Sequence, residues 1–299
     1  MRIAITGASG LLGRALIETA SSRHQIVAAF HSTKIPEHPS LELAPLDLNA
    51  PDSILRFLDI TKPDLVIHSA AVTDVDLCER EPKLAQTLNA DATRQLVAAT
   101  RGTTVRIIYV STDYVFDGSA GPYTETDETH PINVYGRTKL EGEGAVLAAG
   151  NRHAIVRSAG FLGCGGPSRP TFVERMLETI RDHPSLRAAS DQVSNITPVD
   201  ELASGIMRLI ESGATGIWHI AHPQIISRYD LGIMLARLAA ADPSRIERIN
   251  YDSLHRAARR PLRGGLKTEK ASRDLTLTYR PLEESLALVL RQIESKSTA

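Results

Sequence analysis

The stretch IAITGASGLLGRALIETA, residues 3–20, decides the fold. Ile3, Ala4 and Ile5 form a short apolar run, and Leu11, Leu12, Ala15, Leu16 and Ala20 recur at helical spacing after a glycine-rich turn. Strand, turn and helix in that order open a βαβ unit. Gly7, Gly10 and Gly13 stand at G-x-x-G-x-x-G spacing. The first permits a tight turn, the second lets backbone approach a pyrophosphate, and the third lets helix pack closely on sheet. Free N–H groups at the helix start attract anionic phosphate. A lone glycine pattern is a weak signal, and its place between strand and helix is what makes it a dinucleotide-binding turn.

Outward from that turn the same rhythm repeats. Apolar runs at 25–30, 41–46, 65–68, 105–110 and 154–156 read as strands, and 51–60, 83–100 and 133–149 as helices. Pro51 and Asp52 start the first of these helices and Gly150 stops the last. Regular alternation of this kind predicts an α/β fold with a doubly wound parallel sheet, a Rossmann domain over residues 1–157. After Arg157 the pattern loosens into GFLGCGGPSRP, a helix at 172–181, a loop and helix in DQVSNITPVDELASGIMRLIES and a strand in GIWHIA. Parts of 188–221 are expected to complete the first domain. Residues 158–187 and 222–299 would form a smaller, interleaved C-terminal substrate-binding lobe.

The 299 residues are 42% hydrophobic and 23% charged, an ordinary composition for a globular protein with a substantial core. A formal net charge of -1 gives no electrostatic case for nucleic acid or an anionic membrane. Cys78 and Cys164 are too few for a disulfide framework, and the ten histidines form no HExxH or comparable set, so no metal is expected. No run reaches the ~18 apolar residues of a membrane span and the amino terminus lacks a signal-peptide pattern, which makes the cytoplasm the expected compartment.

The end of the second strand bears on the choice of dinucleotide, because an Asp or Glu there would grip the ribose diol of NAD. AAFHSTK has no acid near Phe30. His31, Ser32 and Lys34 offer partners to a 2′-phosphate, with Arg14 nearby, so NADP (NADPH) is expected over NAD; the competing reading is a solvated loop tolerant of both. Asp47 could accept from an adenine amino group while Leu48 packs on the ring, or Asp47 could cap the next helix. Ser69, Ala70 and Ala71 are small enough for a cofactor to lie across their backbone, and close packing would ask for the same residues.

STDYVFDG, residues 111–118, puts hydroxyls, acids and a ring at the end of the fifth strand, where open α/β sheets bind ligands. Ordinary turn chemistry is the alternative. Tyr135 and Lys139 in YGRTK are four apart and share a helix face. A phenol of free pKa ~10 needs nearby positive charge to act as acid or base at neutral pH, which Lys139 and an oxidised nicotinamide would supply. Thr112 would orient a carbonyl oxygen. HRAARRPLRGG offers Arg256, Arg259, Arg260 and Arg263 to a nucleotide diphosphate, or else is a solvated face.

Together these residues resemble the extended short-chain dehydrogenase/reductase family, and within it the dTDP-4-dehydrorhamnose reductase-like branch. STDYVFDG, PINVYGRTKLEGE, LNADATRQL, SRYDLG and RPLRGGL carry the resemblance over nearly the whole chain. It implies an oxidoreductase that moves hydride from NADPH to the 4-keto group of a nucleotide-linked deoxysugar, as in dTDP-rhamnose biosynthesis. In that reading Tyr135 protonates the ketone, Lys139 holds the nicotinamide ribose and lowers the Tyr135 pKa, Thr112 bonds the substrate oxygen, and Asn89 supports them from behind. Gly10, Leu11 and Leu12 would present pyrophosphate-binding amides, Ala70, Ala71 and Val72 would line the cofactor, and Ser111 would lie on its side. Related dehydratases carry Asp-Glu after the threonine; Tyr114 in the glutamate position argues against elimination of water. GASGLLGR is equally similar to the turn of the methionine adenosyltransferase regulatory beta subunit, so an NADP-binding regulatory subunit is an alternative, as is another sugar-nucleotide epimerase. The branch tends to have a Trp-containing segment where this chain has RSAGFLGCGG, and commonly Gln-Leu where it has Leu11 and Leu12, departures that bear on the sugar. Helices 83–100 and 133–149 would offer a homodimer face as in relatives, although packing on their own sheet explains their apolar stripes equally well.

Overall fold

The glycine turn joins β1 (Arg2–Thr6) to α1 (Leu11–Ala20) at the centre of the molecule. The computed structural model describes residues 1–33, 35, 41–165 and 170–297, so Lys34 lies outside the described residues. The first half continues through β2 (Gln25–Phe30), β3 (Leu41–Pro45), α2 (Pro51–Thr61), β4 (Leu65–His68), α3 (Val75–Arg80), α4 (Pro82–Ala85), α5 (Ala92–Ala99), β5 (Arg106–Thr112), α6 (Val134–Ala148) and β6 (Ala154–Ser158). Then follow β7 (Phe161–Leu162), α7 (Phe172–Asp182), β8 (Leu186–Ala189), β9 (Val193–Asn195), β10 (Thr197–Pro198), α8 (Val199–Glu211) and β11 (Gly216–His219). The chain ends with β12 (Ile225–Ser227), α9 (Arg228–Leu238), β13 (Ile246–Ile249), α10 (Glu269–Asp274) and α11 (Leu282–Ser297).

Seven strands form one parallel sheet in the order β11-β6-β5-β4-β1-β2-β3. From β1 the chain builds outward to β2 and β3, then returns to place β4 on the other side of β1. The two directions of growth diverge there, leaving a crevice at the carboxyl ends of the strands. Both faces of the sheet are covered, which explains why its strands read as unbroken apolar runs. Ile3, Ile5, Ile67, Ile108, Val110 and Val156 pack with residues of α1 and α8. Ala4, Val66, Ile107, Tyr109 and Ile155 pack with α2, α5 and α6 on the opposite face.

The predicted long helix over 83–100 is present as one continuous run, but not as a regular α-helix. Pro82, which lacks an N–H, starts α4, and residues Gln86–Asp91 form a π-helical turn before α5. The widened turn carries the buried Asn89, whose amide brackets the backbone of Val72: its oxygen accepts from Val72 N at 2.8 Å and its nitrogen donates to Val72 O at 3.1 Å. A single extra residue per turn leaves no trace in the apolar period, so the sequence reads straight through it.

Beyond β6, a second apolar cluster unites Leu162, Val173, Leu177 and Ile180 with Leu231, Leu235, Leu286 and Leu290. Three two-stranded pairings lie around it, β7 with β10, β9 with β12 and β8 with β13. These strands of two to four residues carry no alternating pattern of their own. Among the described residues, no helix is long and apolar enough to cross a membrane.

Candidate active site

The glycine turn has the shape that a dinucleotide phosphate requires. Gly7 adopts φ +70°, and a Cβ there would lie 2.8 Å from the backbone nitrogen of Ala70. A Cβ on Gly13 would fall 2.3 Å from the Gly7 carbonyl oxygen. The turn therefore folds directly beneath the loop after β4. Gly10 caps α1 without any side-chain hydrogen bond, leaving the first-turn amides of Leu11 and Leu12 for an anion.

At the carboxyl ends of β2 and β3, the structure brings His31 within 3.8 Å of the Asp47 carboxylate. Asp47 does not cap the next helix, because Ala50 takes that position. Its Oδ1 accepts from the Asn49 amide at 2.9 Å and the Asn49 side chain at 3.0 Å, which holds the carboxyl below its usual range. Leu48 packs against the core cluster on the α2 side of the sheet. His31 and Ser32 are exposed. Arg14 turns instead toward the segment after β6, donating to the Cys164 carbonyl at 3.1 Å.

Under the loop after β4, His68 is buried and bonded on both ring nitrogens, to Thr6 Oγ1 at 2.7 Å and Thr93 Oγ1 at 3.2 Å. Burial drives its pKa to about 3, so it stands neutral. Ser69 donates to the Thr6 carbonyl, and Asn89 also donates to Thr138 Oγ1 at 3.1 Å, one residue before Lys139. Asn89 thus fixes the 70–72 backbone relative to α6.

Thr112 and Tyr135 come together at the end of β5, and Lys139 lies one turn further along α6. Asn133 caps α6 by accepting from Gly136 N at 2.8 Å, which seats Tyr135 in the first turn. Tyr135 is half-buried, with the Thr112 hydroxyl near its phenol. Burial pushes the phenol pKa well up; the nearby Thr112 hydroxyl opposes this and the Asp113 carboxylate adds to it. The expectation that Lys139 governs this phenol needs correcting: its ammonium lies over the Tyr109 ring, 4.0 Å from the centroid. Burial lowers the Lys139 pKa to about 7 against the pull of Glu143. Glu143 is itself anchored. It accepts from Ser111 Oγ at 2.5 Å and pairs with Arg157 at 2.6 Å, with both charged side chains almost wholly buried. The Ser111 hydroxyl expected on the cofactor side is therefore engaged beneath the sheet end.

Asp113 and Arg228, to which the sequence reading gave no role in the site, complete it together with Tyr114. Asp113 is buried, with its carboxyl pKa raised by desolvation, and accepts from Ser194 at 2.8 Å and Thr112 at 3.3 Å. The Tyr114 ring meets Tyr135 edge-on at 5.7 Å. Arg228 acts electrostatically on both Asp113 and Tyr114, and its Nη1 is buried without a hydrogen-bond partner. Of the basic stretch, only Arg260 turns inward. It pairs with Asp76 at 2.8 Å and acts on Tyr114, while Arg256, Arg259 and Arg263 are exposed. Asp117, by contrast, shapes its turn by accepting from Ser119 and Tyr123.

The segment after β6 leaves no space for an aromatic side chain at its glycine. Gly160 has φ +37°, and a Cβ there would lie 2.8 Å from the Asn195 carbonyl oxygen. Among the described residues, no group of three or more His, Cys, Asp or Glu side chains is placed to hold a metal ion.

The family model described as the RmlD substrate binding domain matches residues 1–295. A probable low-salt glycan biosynthesis reductase of Haloferax volcanii is 32% identical over 289 residues, covering 95% of each chain. The dTDP-4-dehydrorhamnose reductase of Mycolicibacterium smegmatis is 33% identical over 95% of this chain and 84% of its own. The crystal structure of dTDP-4-dehydrorhamnose reductase from Bacillus anthracis in complex with NADP superposes with a TM-score of 0.82 at 26% identity. It covers 97% of this chain and 99% of that one.

Proposed function

Since the chain belongs to the RmlD substrate-binding-domain family, we propose that it is an NADPH-preferring reductase acting on the 4-keto group of a nucleotide-linked deoxysugar. Its relatives are named as reductases of dTDP-sugars, and one is seen with NADP bound. The Thr112 hydroxyl beside the Tyr135 phenol, at the sheet end next to a turn shaped for a dinucleotide, is the observation that carries the reading.

The bound nicotinamide supplies the hydride that reduces the ketone carbon. Tyr135 gives its proton to the ketone oxygen, and Thr112 holds that oxygen as charge builds on it. Burial keeps the phenol protonated before reaction, the form that ketone reduction consumes. Lys139, its side-chain nitrogen over the Tyr109 ring, would hold the nicotinamide ribose. Arg228 and Arg260, which both act electrostatically on Tyr114, would hold an anionic group on the substrate. Tyr114 also leaves elimination of water without its usual glutamate. An intact Thr112, Tyr135 and Lys139 set favours an enzyme over a regulatory subunit.

The preference for NADPH rests on His31 and Ser32 at a strand end without an acid. The test is NADPH oxidation by the purified protein against dTDP- and GDP-linked 4-keto-6-deoxy sugars and simple carbonyls, repeated with NADH. Turnover is expected only with nucleotide-linked ketones and at lower NADPH than NADH concentration. Turnover with none of them contradicts the proposal, and a preference for NADH contradicts the cofactor reading alone.

A further inference from the structure

Tyr109, in the middle of β5, is wholly buried, and its ring is held by several elements at once. Its hydroxyl donates to the Asn89 carbonyl at 3.3 Å and to the Lys139 carbonyl at 3.4 Å. The helix α6 lies so close that a Cβ on Gly142 would fall 2.3 Å from that hydroxyl. The His68 imidazole of β4 stands beside the ring, with 5.7 Å between centroids. Over the ring sits the Lys139 nitrogen, 4.0 Å from the centroid.

An ammonium is attracted to the negative face of an aromatic ring, and more strongly where water is excluded. Lys139 is 2% exposed. Among the described residues, no carboxylate or hydroxyl takes a hydrogen bond from its side chain, and the Tyr109 ring is its contact. Glu143, one turn further along α6, acts on it electrostatically but gives its oxygens to Ser111 and Arg157. The other ionisable groups packed around α6 leave the ring its part. His68 of β4 is neutral, Arg157 of β6 is paired with Glu143, and the Tyr135 phenol is protonated. Asp113 and Cys78 bear on Tyr135, and Arg94 pairs with Glu141. Asn89 and Thr93 carry no charge. A carboxylate partner would occupy the ammonium's donors, whereas a ring face attracts the charge and leaves N–H groups for another acceptor.

We propose that Tyr109 is a positioning residue: its ring face holds the Lys139 ammonium for the nicotinamide ribose, while its hydroxyl ties the Lys139 backbone to the π turn at Asn89. This rests on the reading of Lys139 as the ribose-binding residue. Tyr109 acts through Lys139 and, being wholly buried, touches neither cofactor nor substrate. Burial brings the Lys139 pKa down to about 7, so that near neutral pH a modest loss of support for the charge turns the ammonium into a neutral amine.

The test reads Lys139 directly. The full-length protein has seven lysines, and their Cε resonances are followed against pH by NMR without cofactor, the Lys139 signal being the one absent from Lys139→Arg. Tyr109→Phe keeps the ring face and is expected to leave the midpoint near 7. Tyr109→Leu, and a ring-fluorinated phenylalanine at the same position, are expected to lower it by about one pH unit or more, the size of a desolvated contact between a cation and a ring. Fluorine drains the negative ring face while the ring keeps its shape, so this variant decides the matter if the leucine variant does not fold. A midpoint unmoved by fluorination, or lowered as far by Tyr109→Phe, overturns the proposal. Adding NADPH to the unsubstituted protein is expected to shift the Lys139 resonance. A resonance that NADPH leaves in place overturns instead the ribose reading beneath the proposal.

Discussion

The crevice has two sides built by different rules. On the cofactor side, the groups that matter are neighbours in sequence. Gly7, Gly10 and Gly13 fall within one turn, and Tyr135 and Lys139 within five residues of one helix. On the substrate side, each contact joins distant segments: Asp113 meets Ser194 across 81 positions and Arg260 meets Asp76 across 184. Local spacing is sufficient to make the first side, whereas the second exists only once the chain has returned and docked. Damage to the first should abolish binding outright, while damage to the second should change how the substrate is held.

The largest expected effect is on the cofactor side. Gly13→Val would drive side-chain atoms into the Gly7 carbonyl and Ala8 backbone, costing about 3 kcal/mol or more. Thermal melting should fall sharply and NADPH binding should vanish; a variant that binds NADPH normally breaks the account of the turn. On the other side, Asp76→Ala removes the partner of Arg260 and of the Ala258 amide. Loss of a charge-assisted contact of this kind, about 1.5–3 kcal/mol, should raise KM for the nucleotide sugar roughly tenfold or more while leaving the NADPH Kd unchanged. Equal changes in both would show that the two sides are not separable.

Acid pH offers a smaller, shared effect. His68 lies beneath the cofactor side and His219 beneath the substrate side, where its Nδ1 faces the Tyr123 carbonyl. Burial lowers the pKa of each to about 3, against about 6.5 in the unfolded chain. Between those values the unfolded chain binds protons that the folded one refuses. Stability should be full above pH 6.5 and fall on acidification, by up to about 1.4 kcal/mol per pH unit for each histidine. His219→Gln should make the acid limb of a denaturant-melt series shallower, and an unchanged slope contradicts the assignment. The smallest effect belongs to the exposed loop after β2. His31→Ala should weaken NADPH about threefold, within the range of exposed charge contacts, and leave NADH unaffected.

The same contrast explains what was legible in the sequence. The sheet, its parallel sense and the glycine turn follow from periodicity and spacing, and the structure has them. Thr112 and Tyr135 do come together at the strand end, whereas Lys139, one turn along the helix, turns its side chain to the Tyr109 ring. The π turn at Asn89 was hidden because one inserted residue leaves the apolar pattern intact. Asp113 read as a turn residue because its partner Ser194 is remote, and Arg228 was passed over because nothing near it in sequence marks it as inward-facing. Ser111 illustrates the opposite error. Its place at a strand end suggested the cofactor, but Glu143, one helix away, takes its hydroxyl.

The central claim is that Tyr135 delivers the proton to a ketone in a site whose cofactor side is independent of that step. Its most direct test is Tyr135→Phe, assayed for NADPH affinity and for turnover with a nucleotide-linked 4-keto sugar that the unsubstituted protein reduces. The account predicts an unchanged NADPH Kd and a loss of kcat of about a thousandfold, the range expected for removal of a general acid. Undiminished turnover with the phenylalanine in place would contradict it.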